Sequence, residues 1–142
     1  MKTLSRVPMW VGPFHDAIDE IRRSPFSWKE HECAIGLAAR VVIVLTGEDL
    51  AAEFRGRYED AAGAYRVMRE AGFSDLADLA ASYLPEYAHP SEAQLGDIAA
   101  LPVDTAFGHV LGVVNGDRII VLGESTLGTV DRSAARRAFR VG

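Results

Sequence analysis

Apolar residues recur at helical spacing through the first half of the chain. After an irregular arm over residues 1–11, a helix is predicted to begin at Pro13. Further helices are predicted over 60–71 and from 74 to about 83, the last with Ser74 as its N-cap. The apolar face of the first helix consists of Phe14, Ala17, Ile18 and Ile21.

The longest apolar segment runs from Cys33 to Leu45, and almost nothing polar interrupts it. A helix that is apolar all round is normally buried. Cys33 is the only cysteine, and it lies where this helix is predicted to begin, directly after His31 and Glu32. The free N–H groups and the positive dipole end of a helix stabilise a thiolate, so we expect a lowered pKa for Cys33. The alternative is a small buried hydrophobe, which is the usual role of a free cysteine.

The second half of the chain changes to strand patterns. An extended run over 96–101 is closed by Pro102, and two apolar strands over 109–114 and 118–122 flank Asn115-Gly116. The Asn-Gly pair is a strong hairpin signal. Further strands are predicted within 123–130 and over 138–141. Helices followed by strands indicate an α+β fold in which N-terminal helices pack on a small antiparallel sheet.

Composition and charge narrow the classes of partner. The 142 residues are expected to form one domain, and the net charge of −5 argues against nucleic acid as the main partner. No apolar run reaches the length of a membrane span, and no signal peptide is recognisable. A single cysteine suggests synthesis in a reducing compartment. Four scattered histidines show no ligand spacing, so no metal or cofactor is expected.

His109 is the second candidate for chemistry, because it begins an apolar strand directly after Gly108 and a loop. A cysteine at a helix start and a histidine at a strand start provide the nucleophile and the base of thiol catalysis. Such partners meet only in the fold, so their separation along the chain is no obstacle. On its own, a histidine at a strand end is usually a polar residue at the rim of a sheet.

These residues occur in an order that resembles the NlpC-like cysteine peptidases. The order is an acidic residue and Cys33 opening a helix, then Gly96-Asp97 before a strand, then a segment from His109 to Gly116. Pro25-Phe26-Ser27-Trp28 and Phe54-Arg55-Gly56-Arg57-Tyr58 make the chain similar to a short branch found in phage and prophage tail gene clusters.

The resemblance implies a papain-like fold with Cys33 as nucleophile and His109 as base. His31, Glu32 and Asp97 are further candidates for the site. It implies a peptidase or amidase that cleaves cell-wall (peptidoglycan) peptides. The expected location is the phage tail tip in the virion, beside other tail-tip proteins, after synthesis in the bacterial cytoplasm. Neither nucleic acid nor membrane insertion is expected.

Two departures from the family pattern leave a second function open. His109 lies three residues before Gly112 where the family has two, and an odd shift places a strand residue on the other face. The strand over 118–122 offers no polar partner for the imidazole, and Asp97, Asp117, Glu124 and Ser125 are imperfect substitutes. The alternative is therefore a catalytically eroded structural or assembly component of the tail tip.

Two segments outside the site carry expectations of their own. The irregular arm, with Trp10 and with Phe139 near the other end of the chain, is a candidate docking surface for a partner. The other outcome for the arm is that it folds back on its own core. Arg55 and Arg57 have acidic neighbours, so we expect them to form ion pairs within the domain rather than to bind an anion.

Overall fold

The computed structural model describes residues 3–28, 32–123 and 127–142. The helical elements are α1 (Val11–Arg23), a π-helical turn (Cys33–Ala38), α2 (Ala39–Thr46), α3 (Ala61–Glu70) and α4 (Leu76–Ala81), with short 3₁₀ turns at Pro90–Glu92 and Arg132–Ala134. The strands are β1 (Ile98–Pro102), β2 (His109–Asn115), β3 (Arg118–Leu122), β4 (Leu127–Asp131) and β5 (Arg137–Phe139).

The five strands form one sheet in the order β4-β3-β2-β1-β5, and every neighbouring pair is antiparallel. The predicted α+β class with a small antiparallel sheet is therefore confirmed. Alternate residues of each strand face opposite sides. Leu111, Val113 and Ile120 pack with the helices in the main core, whereas Val114 and Ile119 belong to a second cluster on the other side.

The helical core follows the predicted pattern. The four apolar positions of α1 are all buried, with Phe14 and Ile21 completely inaccessible. The segment from Cys33 to Thr46 is continuously helical, and Gly47 ends it in the left-handed conformation with its N–H bonded to the carbonyl of Ile43. The first turn of this segment is wider than predicted, because the N–H of Leu37 bonds to the carbonyl of Glu32 five residues back.

Two local predictions about turns and caps are wrong. The N-cap of α4 is Asp75 and not Ser74, because the Asp75 carboxylate accepts the N–H of Ala77 at 2.7 Å. The β2–β3 hairpin pairs Asn115 with Arg118, so its two-residue loop is Gly116-Asp117. A positive φ of 67° at Gly116 suits the first central position of such a loop, where glycine carries no steric cost.

The N-terminal arm folds back onto the domain. The Arg6 guanidinium bonds to the carbonyls of Leu95 and Val141 and to the Asp97 carboxylate at 2.9 Å. Phe139, predicted to be exposed, is completely buried, because β5 pairs with β1 and its side chain joins the main core. Trp10 is partly buried and packs edge-on against a core aromatic ring of α1.

Candidate functional site

A cavity of about 150 Å³ lies between the helices and the inner face of the sheet. Cys33 and His109 both line it, together with Glu32. Cys33 is the first residue of the π-helical turn, and His109 is the first residue of β2. The fold thus brings the two main candidate residues to one cavity, although 76 positions separate them in the sequence.

The Cys33 thiol is half-buried and does not have the expected lowered pKa. Desolvation and the negative charge of Glu32 raise the pKa of the thiol from 9.0 to about 12. Backbone hydrogen bonds of Leu111 and of Cys33 itself act in the opposite direction and are outweighed. The prediction of a helix-stabilised thiolate is therefore wrong, because burial and a neighbouring carboxylate exceed the effect of the helix end.

Glu32 is a buried carboxylate directly before the nucleophile candidate, and only 4% of it is exposed. It accepts the N–H of Ala34 at 3.0 Å and the hydroxyl of Tyr58 at 3.2 Å. These bonds account for its burial, since a carboxylate is taken out of water only when it is well hydrogen-bonded. Glu32 therefore fixes the start of the helical segment and keeps a negative charge beside the thiol.

His109 is held by one ring nitrogen and is free at the other. Its Nδ1 lies 3.0 Å from both oxygens of Asp75, and 14% of its side chain is exposed. A carboxylate at Nδ1 favours the tautomer in which Nδ1 carries the proton and Nε2 offers a lone pair. Nε2 is buried and has no hydrogen-bond partner among the described residues. Leaving such an atom unpaired costs about 1–3 kcal/mol of folding free energy. A buried polar atom without a partner is therefore a candidate for binding a ligand or for taking part in a reaction.

The register of β2 places His109 on the side of the sheet that faces the helices. It shares a strand face with Leu111 and Val113, which pack in the main core. The concern that the shift of one residue relative to Gly112 would turn His109 to the other face is therefore not realised. Gly112 itself lies on the opposite face, where a Cβ would meet Ile119 and the carbonyl of Ile120.

Asp75 is the functional candidate that the sequence did not reveal. It caps α4 and holds His109 with the same carboxylate, and it precedes His109 by 34 positions. The family pattern predicts the imidazole partner on the strand after His109. The available signal was the Ser74-Asp75 pair before a helix, which indicates a cap and gives no hint of a second role.

The loop that precedes His109 is built around Asp75. The carbonyl of Phe107 accepts the N–H of Leu76 at 2.9 Å, which fixes the loop to the first turn of α4. Gly108 has a φ of 75°, and a Cβ at this position would collide with the Asp75 carboxylate. Trp28 stacks on Phe107 with a centroid separation of 5.9 Å and adds an aromatic wall beside the site.

A comparison with known protein families identifies the family of this chain. The profile of a domain of unknown function, DUF6950, matches residues 5–141. The chain belongs to the DUF6950 family. No curated protein and no solved structure matches it. Cys33, Asp75 and His109 all lie within the part matched by the DUF6950 profile.

Asp97 does not line the cavity of this DUF6950 chain. Asp97 is buried elsewhere, where Arg6, the Tyr87 hydroxyl and the backbone N–H groups of Gln94 and Val141 surround its carboxylate. Its contacts are those of a structural residue that joins the chain ends to β1. His31 lies outside the described residues, as do Glu124 and Ser125.

The described residues also bear on metals and membranes. They include no group of three His, Cys, Asp or Glu side chains arranged to hold a metal ion. None of the helices in the described part of the chain is both long enough and apolar enough to cross a bilayer. The cavity itself offers a thiol, an imidazole oriented by a carboxylate, and an apolar lining.

Proposed function

We propose that this DUF6950 chain is a cysteine-dependent hydrolase of amide bonds with a papain-like, NlpC-like fold. The observation that carries the proposal is His109, with Nδ1 on Asp75 and Nε2 unpartnered, lining the same cavity as Cys33. A thiol and a base that is oriented by a third group are the parts that nucleophilic catalysis needs. Nε2 has no hydrogen bond to the Cys33 sulfur in this structure, so the proposal requires the two side chains to approach each other when substrate binds. The papain-like part rests on the resemblance and on the placement of Cys33 at a helix start against a histidine-bearing strand.

The first half of the reaction forms a thioester. The Cys33 sulfur attacks the carbonyl carbon, the π electrons of that carbonyl move to its oxygen, and Nε2 of His109 takes the thiol proton. The tetrahedral intermediate then collapses, the C–N bond breaks, and the leaving amine takes the proton from Nε2. Because the raised pKa keeps the resting thiol protonated, proton transfer accompanies the attack and no preformed ion pair is needed.

The second half releases the acid and restores the thiol. A water molecule gives a proton to Nε2 of His109 while its oxygen bonds to the thioester carbon. The C–S bond then breaks, and the sulfur regains the proton from the imidazole. Asp75 stays ionised through both halves and stabilises the imidazolium that forms twice, which makes it a positioning residue.

The resemblance to a phage-tail branch supports a biological setting for this chemistry. In that setting the chain is carried in the virion at the tail tip beside other tail-tip proteins, and it cleaves peptides of the bacterial cell wall. Two experiments test the setting. The first asks whether the tagged full-length chain stays with purified tails, and the second asks whether adding the chain to isolated peptidoglycan produces new amino termini. Chain that is recovered only free of tails would contradict the setting while leaving the chemistry open.

The chemistry is tested with a panel of N-acetyl-aminoacyl p-nitroanilides and with Cys33→Ala, His109→Ala and Asp75→Asn. We expect Cys33→Ala to abolish turnover, because no other thiol is present. We expect the other two changes to lower kcat/KM by about 100-fold or more, the usual contribution of an oriented base. Mass spectrometry of samples quenched during turnover should detect an acyl group on Cys33 in the unsubstituted protein and none in Cys33→Ala.

Matched controls separate catalysis from folding. Asp60 caps α3 through the N–H of Gly63 at 2.7 Å but has no histidine partner, so Asp60→Asn makes the same change at a helix start. His89→Ala is the control for His109→Ala, because His89 caps the 3₁₀ turn at 90–92 and is exposed. Turnover should survive both control substitutions. Equal losses in Asp60→Asn and Asp75→Asn would contradict a role for Asp75 in the reaction.

The second candidate function is an assembly component of the tail tip that keeps the fold without the chemistry. The raised pKa of Cys33 favours it, because a thiol that stays protonated at neutral pH is a poor nucleophile without help from a base. The same panel decides between the two. An assembly component would turn over none of the substrates, and Cys33→Ala would still join the tails.

A further inference from the structure

The cavity beside Cys33 has room for more than a peptide backbone. Its volume is about 150 Å³. An apolar protein cavity of that volume holds a benzene molecule. The interior is lined by aliphatic side chains from the helices, from the turn after α4 and from β1, among them Val42, Val67, Met68, Leu84 and Ile98. The space therefore suits one apolar group of about six carbon atoms.

Polar groups of a ligand have few places to bind in this cavity. The hydroxyl of Tyr58 is engaged by Glu32, and the hydroxyl of Tyr83 is engaged by Glu53. Among the fully buried side-chain nitrogen and oxygen atoms of the described lining, Nε2 of His109 is the one without a partner. A ligand that satisfies the site therefore has its polar, reacting group at the His109 and Cys33 positions and an apolar group in the rest of the cavity.

The charges around the cavity exclude charged side chains. No Lys or Arg occurs on the described lining, so an acidic group would lose its hydration without a partner. The buried Glu32 carboxylate is already bonded to Ala34 and Tyr58 and repels an anion further. A basic group would lose its hydration against the aliphatic floor, and the counter-charge on the described lining is the Glu32 carboxylate, whose oxygens already accept from Ala34 and Tyr58.

From these observations we infer that the cavity binds a benzene-sized apolar side chain of the substrate, on the residue that supplies the scissile carbonyl. Phenylalanine and leucine are the matching residues. Neither belongs to the stem peptides of peptidoglycan, so this inference concerns the hydrolase chemistry and not the cell-wall setting. This inference deepens the proposed hydrolase and rests on it for the position of the carbonyl. Binding of the apolar group itself depends only on the cavity.

The kinetic test compares Ala, Leu, Phe, Glu and Lys in the acyl position of the p-nitroanilide panel. Burying the larger side chain should raise kcat/KM for Phe and Leu at least about tenfold over Ala. Glu and Lys should fall below Ala. Val67, a buried α3 residue on the lining, allows the space to be filled. Val67→Phe should remove the preference for Phe, whereas Val67→Ile should keep it.

A binding measurement distinguishes failure of this inference from failure of the proposed function. Cys33→Ser protein is titrated with N-acetylphenylalaninamide and N-acetylalaninamide, with the His109 ring signals followed by NMR. Tighter binding of the phenylalanine compound, lost in Cys33→Ser/Val67→Phe, supports the inference even if no substrate is turned over. The inference is overturned if turnover depends on Cys33 but shows no preference for Phe or Leu, or if both amides bind equally. Neither result contradicts the proposed hydrolase.

Discussion

In the proposed reaction, Glu32 and His109 act on the Cys33 thiol in opposite directions. The Glu32 charge and burial keep the proton on sulfur, whereas Nε2 of His109 offers a site to receive it. A negative charge beside a nucleophile lowers the thiolate fraction at rest and makes attack dependent on the base. Glu32 thus limits the reactivity of the Cys33 thiol in the absence of substrate.

Removing the charge of Glu32 should make the thiol more reactive. In Glu32→Gln the amide oxygen can replace Oε2 as the acceptor for the N–H of Ala34, and the NH2 group takes the place of Oε1, where it can donate to the Tyr58 hydroxyl oxygen. The coulombic contribution of Glu32 to the raised pKa of Cys33 disappears. We expect the rate of iodoacetamide alkylation between pH 8 and 11 to rise relative to wild type, since the pKa of the thiol falls toward 9.0. Intact-mass kinetics on folded protein measure the rate.

Glu53→Gln is the control for this measurement, because Glu53 also accepts a tyrosine hydroxyl but does not line the cavity. Unchanged alkylation in Glu32→Gln would contradict the assigned cause.

The raised pKa of the Cys33 thiol also affects folding stability. The folded thiol keeps its proton to higher pH than the unfolded one, so its contribution is complete below pH 9.0 and is lost as the pH rises toward about 12.

Cys33 and His109 could be found from sequence because each marks a change in pattern. Cys33 ends a polar run and starts an apolar helix, and His109 starts an apolar strand after a loop. Asp75 could not be found in this way, because a helix cap looks the same whether or not its carboxylate has a second partner. The pKa of Cys33 was also out of reach, since burial and charge at a site depend on the packed structure.

At the scale of elements, the loop before β2 and the start of α4 form one unit. Gly108 carries a left-handed backbone, Asp75 occupies the space where its side chain would lie, and the Phe107 carbonyl bonds to Leu76. The loop, the start of α4 and the start of β2 therefore all depend on a residue without a Cβ at position 108. Their joint function is to hold the imidazole at the cavity wall.

Gly108→Ala should disturb this unit. We expect a loss of about 1–2 kcal/mol from the left-handed conformation. We also expect a fall in kcat/KM comparable to that of Asp75→Asn, because the new methyl group displaces the carboxylate from His109. Gly56→Ala is the matched control: its φ is 77°, and nothing lies within 4 Å of an added Cβ. Equal kinetic effects of the two substitutions would contradict the displacement of Asp75.

Most elements could be predicted from sequence because their signals are local. The Asn-Gly pair marks the hairpin, Gly47 marks the end of α2, and the apolar face of α1 recurs at helical spacing. The π-helical turn at Cys33–Ala38 differs from an α-helix by one residue in hydrogen-bond spacing, and six apolar residues carry no pattern that separates the two. The order of the strands likewise depends on contacts between distant segments.

At the scale of the whole molecule, Arg6 joins both chain ends to the sheet. Its guanidinium bonds to Asp97 before β1, to Leu95 and to Val141, and the N–H of Val7 bonds to the carbonyl of Leu45 at 2.7 Å. Asp97 is 1% exposed, so loss of Arg6 would leave a buried carboxylate without its cation. An arm held in this way is part of the fold and not a free docking segment.

Arg6→Ala should therefore lower stability by about 3 kcal/mol, the effect of breaking a buried ion pair. For a chain of this length the loss corresponds to roughly 10 °C in Tm, read from thermal unfolding followed by circular dichroism. Deleting residues 1–10 should lower Tm at least as much. Arg22→Ala is the control, because its pairing with Asp19 at 3.6 Å is exposed and contributes little.

The same variants test the docking role that the sequence suggested for the arm. If the arm ordered only on a partner, the truncated chain would melt like the full chain and would fail to stay with purified tails. The contacts of Arg6 and Val7 lead us to expect the opposite in solution: an early melting transition in the truncated chain and in Arg6→Ala, and an unchanged one in Arg22→Ala. Unchanged melting of the truncated chain would mean that these contacts do not stabilise the free protein.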